Sequence, residues 1–157
     1  FHPQDTREMI MHKQKVLEDA VKGHKRIRAS WHTPDTSILE AVLARGDRRL
    51  SAVLLEAWKR GCVFDAWSEY FRFDLWEEAF AACGLEMEFY ASRPRSYDEI
   101  FPWDHMDLYI DKEFLIRENE KAKQAACTPH CRKQCANCGV TKVTKKPCFS
   151  YQKEENA

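Results

Sequence analysis

The stretch SILEAVLARGDRRLSAVLLEAWKRG, residues 37–61, decides the fold class. Ser37 with Glu40 three positions on makes a capping box, which satisfies two backbone donors at a helix start. Ile38, Leu39, Val42 and Leu43 then recur at helical spacing, and Gly46 supplies a stop. Asp47 opens a second helix. Its Leu50, Val53, Leu54, Ala57 and Trp58 fall at i, i+3, i+4, i+7 and i+8, one apolar face, before Gly61 ends it. The two helices predict a mostly α protein with Leu39, Leu43, Leu54 and Trp58 in the core.

The same punctuation continues downstream. Asp74 and Glu77 begin a helix with Leu75, Trp76, Ala79, Phe80 and Cys83 inward and Gly84 as stop, so Trp76 and Phe80 join the expected core. Phe64 to Phe73 is aromatic and acidic and reads as a packed loop or short helix. Residues 92–102 are turn-rich, and Asp111 caps a further helix at about 112–125. Upstream, Asp5 and Glu8 open a helix at about 6–22, ended by Gly23. Residues 26–32 alternate, with Ile27, Ala29 and Trp31 against Arg26, Arg28, Ser30 and His32, which predicts a half-buried strand with Trp31 inward. A lone strand leaves its backbone unsatisfied, so it needs a partner in Met87–Tyr90, in Met106–Ile110 or outside this chain. The count is five main helices and one to three short strands, an α+β arrangement dominated by α.

The 157 residues are 44% hydrophobic, enough for a core and too much for a disordered chain. With 25 basic and 25 acidic residues the net charge is zero, which argues against a general nucleic-acid binder and leaves room for a local basic patch. No apolar run approaches a membrane-spanning length and no signal-peptide pattern is visible, so no membrane partner is expected. Phe1-His2-Pro3-Gln4 reads as the middle of something, and a fragment is the working expectation.

Five of the seven cysteines, Cys127, Cys131, Cys135, Cys138 and Cys148, crowd the end of the chain, while Cys62 and Cys83 sit in helical patterns. This local crowding points to a reduced, cytoplasmic protein with a metal site rather than a secreted disulfide framework. Cys131-x3-Cys135-x2-Cys138, followed by Gly139, lets three thiolates converge on one centre. A four-thiolate zinc or iron–sulfur site needs one more ligand, with Cys127 or Cys148 as candidates and His130 a poorer one. The tail has only Val140 and Val143 as branched aliphatics over 127–148, so its order should depend on bound metal. Arg45-Gly46-Asp47 is an RGD triplet followed by Arg48 and Arg49; it reads as a helix stop followed by a cap, or its three arginines as cations for an anionic cofactor or a partner's carboxylates. Trp103-Asp104-His105 reads as an oriented acid–base His or as a structural corner, and His32 is similarly ambiguous. No Gly-rich phosphate loop, Gly-x-Ser-x-Gly or His-Glu-x-x-His occurs.

Several stretches together resemble one family: FHPQDT (1–6), Lys13-Gln14, SILEAVLARGDRRL (37–50), Ala57-Trp58 with Gly61, FDAW (64–67), PWDH (102–105), KEFL (112–115) and residues 128–140. They look like the C-terminal region of a bacterial radical SAM protein with an N-terminal cobalamin-binding-like domain, in the broad MiaB-, NifB- and elongator-like group. The resemblance implies that the SAM-binding cluster motif and catalytic core lie upstream and are absent here. Residues 1–32 would then be the last α/β unit of a partial barrel, 33–126 a helical extension, and 127–157 a Cys-rich tail with an accessory site. It implies a [4Fe–4S] cluster or zinc in the tail, SAM in the upstream regions with cobalamin left open, and the upstream core as partner. The parent would be an enzyme and this chain alone inactive. A further Cys usual just after the Cys-Gly pair is replaced here by Val140-Thr141. The rival reading is a free-standing helical adaptor with a zinc-stapled tail. No nucleic-acid partner is evident.

Overall fold

The computed structural model describes residues 1–146 and residue 148. Its helices are α1 (Arg7–Val21), α2 (Pro34–Arg45), α3 (Leu50–Lys59), α4 (Phe73–Ala82), α5 (Met87–Ala91), α6 (Lys112–Lys123) and α7 (Val140–Thr144). The five longer ones match the five main helices read from the sequence. No strand forms among the described residues, so the protein is mostly α and the expected strand at 26–32 is corrected. Both internal partners are taken: Met87–Tyr90 lies in α5, and Met106–Ile110 is turn and irregular chain. With no ladder to join, residues 26–32 stay irregular and exposed, and Trp31 is 43% exposed rather than buried.

The chain forms two compact units, Phe1–Ser96 and Tyr97–Ala157. The sequence-based divisions after residues 32 and 126 fall inside them. The first unit has one core: Leu39 and Val42 of α2, Leu50, Val53 and Ala57 of α3, Trp76, Ala79 and Phe80 of α4, and Met87, Tyr90 and Ala91 of α5, with Cys62 beside them. α2 packs on α5 and α3 on α4. The α1 helix buries no side chain; it is tied on by an Arg7–Asp35 ion pair at 2.6 Å and by Gln14 donating to the His32 carbonyl at 3.0 Å.

Three expected core residues are corrected: Leu43, Leu54 and Trp58 are 42%, 47% and 63% exposed. The buried stripe of α3 is the narrower Leu50, Val53 and Ala57, with Leu54 and Trp58 one step round the helix. The small side chains Ala57 and Ala79, both fully buried, favour close approach of α3 and α4 on that stripe, and Trp76 of α4 supplies the buried indole.

Helix starts shift by a few residues from the expected caps. Thr6 rather than Asp5 caps α1, and Thr33 rather than Ser37 caps α2, whose first turn begins with Pro34. Gly23, Gly61 and Gly84 end helices at positive φ as read.

The second unit is built around α6. Phe101 is buried and stacks on Trp103 at 5.3 Å. Tyr97 is ringed by Glu120, Asn119 and Lys123 of α6, its hydroxyl accepting from Asn119 Nδ2 at 2.6 Å. No helix among the described residues is long and apolar enough to cross a membrane.

Candidate metal centre

The Cys-rich segment is anchored at one place. Asp111, the cap of α6, donates its backbone N–H to the Cys138 carbonyl at 2.8 Å. Further along α6, Arg117 donates to the Asn137 carbonyl at 3.1 Å and the Ala136 carbonyl at 3.4 Å. Lys142 of α7 returns an ion pair to the Asp111 carboxylate at 2.6 Å, which raises the lysine's pKa through that hydrogen bond and charge. The run from Ala136 to Lys142 is thus pinned to α6 by backbone and side chain alike.

Within this run the chain turns sharply. Asn137 sits at φ +52° and Gly139 at φ +112°, a conformation that favours glycine. The turn brings the Asn137 N–H to 3.5 Å from Cys135 Sγ, and the Asn137 side-chain oxygen lies 3.7 Å from the same sulfur. Cys135 and Cys138 are both half-buried in this turn.

The other thiols are less constrained. Cys131 lies in a turn closed by Lys133 and Gln134 donating to the His130 carbonyl, and it is exposed, as are Cys127 and Cys148. Among the described residues no three His, Cys, Asp or Glu side chains converge closely enough to hold an ion. Thiols are donors suited to zinc or an iron–sulfur cluster, and the turn positions Cys135 and Cys138; Cys131 and a fourth ligand are not gathered to them among the described residues. The segment is rich in cations. Between residues 121 and 146 stand Lys121, Lys123, Arg132, Lys133, Lys142, Lys145 and Lys146, with no Asp or Glu. Cys62 is the opposite case: burial, with Asp65 and Asp74 nearby, pushes its thiol pKa up, and it is 7% exposed.

The remaining sequence candidates do not form a second site. Arg45 donates to the Ala91 carbonyl at 2.8 Å and so braces α2 against α5. Arg49 grips Asp47 at 2.6 Å and lies over the Phe89 and Tyr90 rings, while Arg48 points to solvent. The three arginines have separate partners and make no common anion cradle; the RGD triplet works as a helix junction. The Asp104 carboxylate accepts from the Phe101 N–H at 2.9 Å and faces Lys112 at 3.8 Å rather than orienting His105. This corner is structural.

Sequence reasoning missed the residues that hold the turn. Asp111 was legible only as a helix cap, and nothing in the sequence marks Arg117 or Lys142. The available signal was Gly139 directly after Cys138, where a reversal of chain direction needs positive φ. Compared with known proteins, the chain matches no family model, no curated protein and no solved structure.

Proposed function

We propose that the chain is the C-terminal region of a radical SAM iron–sulfur protein and that its tail holds an accessory Cys-ligated metal site. The observation that carries the metal site is the Cys135–Gly139 turn, with a backbone N–H at one sulfur and its carbonyls pinned to α6. Cys131, Cys135 and Cys138 would be the ligands, with Cys127 or Cys148 as the fourth. Bound there, an iron–sulfur cluster would supply electron transfer, and zinc would supply folding free energy alone.

The protein's own residues do the rest. Asp111 and Arg117 fix the direction of the Cys135–Cys138 loop, and the Asn137 N–H contacts the Cys135 sulfur. The surrounding lysines offset the negative charge that three or four thiolates bring together. The family reading rests on the sequence stretches that resemble the radical SAM group. It assigns SAM cleavage, and any cobalamin, to an upstream core in the cytoplasm, and leaves this chain inactive by itself.

One observation favours the adaptor reading as a second choice. Residues 1–96 close a helical core of their own without a strand, which an adaptor needs and the end of a barrel does not. Metal analysis of anaerobically purified protein separates the two. Iron with acid-labile sulfide and visible absorbance supports the first; about one zinc per chain without colour supports the second.

A further inference from the structure

The zero net charge hides an uneven distribution. From Ala20 to Pro34 there is no Asp or Glu, and within that gap stand Lys22, Lys25, Arg26 and Arg28, with His24 and His32. Every residue from Lys22 to Thr33 is exposed. The cations of the preceding helix are all engaged: Arg7 with Asp35, Lys13 with Asp5, and Lys15 with Glu18 and Asp19. The four of the loop have no ion pair or side-chain hydrogen bond among the described residues. Two exposed apolar side chains, Ile27 at 53% and Trp31 at 43%, are interleaved with them.

The loop is held at both ends and open between them. Gly23 turns the chain at φ +89° out of α1, and His24 and Ile27 close successive turns by donating their N–H groups to the Val21 and His24 carbonyls. At the far end Gln14 grips the His32 carbonyl, just before Thr33 caps α2. Four exposed cations with no carboxylate among them create a local positive field that attracts a polyanion.

We propose that residues 22–32 are a docking loop for single-stranded nucleic acid. Lys22, Lys25, Arg26 and Arg28 pair with backbone phosphates, and Trp31, assisted by His24 and His32, stacks on a base. Charge complementarity selects a polyanion, and the mixture of arginine, histidine and tryptophan selects a strand whose bases are free to stack. An anionic membrane fits less well, because Ile27 and Trp31 are the only large apolar side chains on the loop, too few to insert as an apolar face. The inference is independent of the metal reading, since it uses no cysteine.

Fluorescence anisotropy of a labelled mixed-sequence 20-nucleotide RNA with the full 157-residue chain tests it. The wild type should bind at 50 mM salt, and the log–log salt slope should be about −3, as about 0.7 per phosphate contact dictates for four cations on a single strand. Replacing all four cations (Lys22→Ser, Lys25→Ser, Arg26→Ser, Arg28→Ser) should weaken binding at least tenfold and flatten the slope. Trp31→Ala should weaken it at least fivefold with the slope unchanged. A tail variant, Lys133→Ser with Lys145→Ser and Lys146→Ser, should bind as the wild type does. Absence of RNA binding at 50 mM salt, a slope near zero, or loss only in the tail variant would overturn the proposal. So would tighter binding to phosphatidylglycerol vesicles than to RNA.

Discussion

A Cβ on residue 139 would lie 2.7 Å from Asp111 Cγ and 2.8 Å from its Oδ1, so Asp111 and Gly139 fit together only because residue 139 has no side chain. The contact binds the start of α6 to the residue that follows Cys138. It makes the geometry of the Cys turn dependent on a cap some 28 residues away in sequence.

Gly139→Ala should therefore loosen the turn. The φ of +112° costs an alanine on the order of 1–3 kcal/mol and the Asp111 carboxylate must shift away, so metal affinity should fall at least tenfold. A chelator-competition titration reads this directly. The melting of the helices of residues 1–96 should not change.

Trp58→Ala should have little effect on stability, within about 0.5 kcal/mol, because the ring is 63% exposed. Phe80→Ala should cost about 3–5 kcal/mol, because Phe80 is 2% exposed in the core. Urea denaturation followed by circular dichroism compares the two. Equal losses would restore the wider apolar face that the sequence of α3 suggests.

That face shows how far the sequence was legible. Helix identity was plain, because period 3.6 and glycine stops are local properties. Which of two adjacent stripes faces inward was not, because Leu54 and Trp58 are as apolar as Val53 and Ala57. The choice is made by α4, through Ala79. The strand at 26–32 misled for a related reason: alternation records what a strand would look like, while a ladder depends on a partner that the chain uses as helix α5. In the tail, the cysteine spacing was legible and the residues that brace it were not, since Asp111 meets Gly139 only after folding.

Cysteine alkylation should divide the thiols by environment. Cys127, Cys131 and Cys148 should react quickly in metal-free protein, and Cys62 should be protected until the core unfolds. Burial raises the Cys62 pKa, so its contribution to stability is fully present at neutral pH. It is lost as pH rises past the ordinary thiol value near ~8.5. Peptide mapping after a timed pulse of alkylating reagent at pH 7 and pH 9 checks both statements; early labelling of Cys62 at pH 7 would contradict them.

The Asp47–Arg49 junction should respond to acid. The Arg49 hydrogen bonds, chiefly, hold the Asp47 carboxyl below its usual range, outweighing partial burial. The stability it gives is present above the ordinary carboxylate pKa of about 3.9 and is lost as pH falls through the lowered value. Asp47→Asn should lower the melting temperature slightly at pH 6 and leave less difference from the wild type at pH 2–3. A constant difference across that range would show that the pair is not the source.

The most direct measurement is metal content of the wild-type chain and of Cys135→Ala, both purified anaerobically and analysed for iron, sulfide and zinc. The wild type should hold a bound metal centre and Cys135→Ala should lose it, with circular dichroism showing the helices of residues 37–83 intact in both. Full metal occupancy in Cys135→Ala, or collapse of that helical region when metal is removed, would contradict a self-sufficient helical body with a metal-dependent tail.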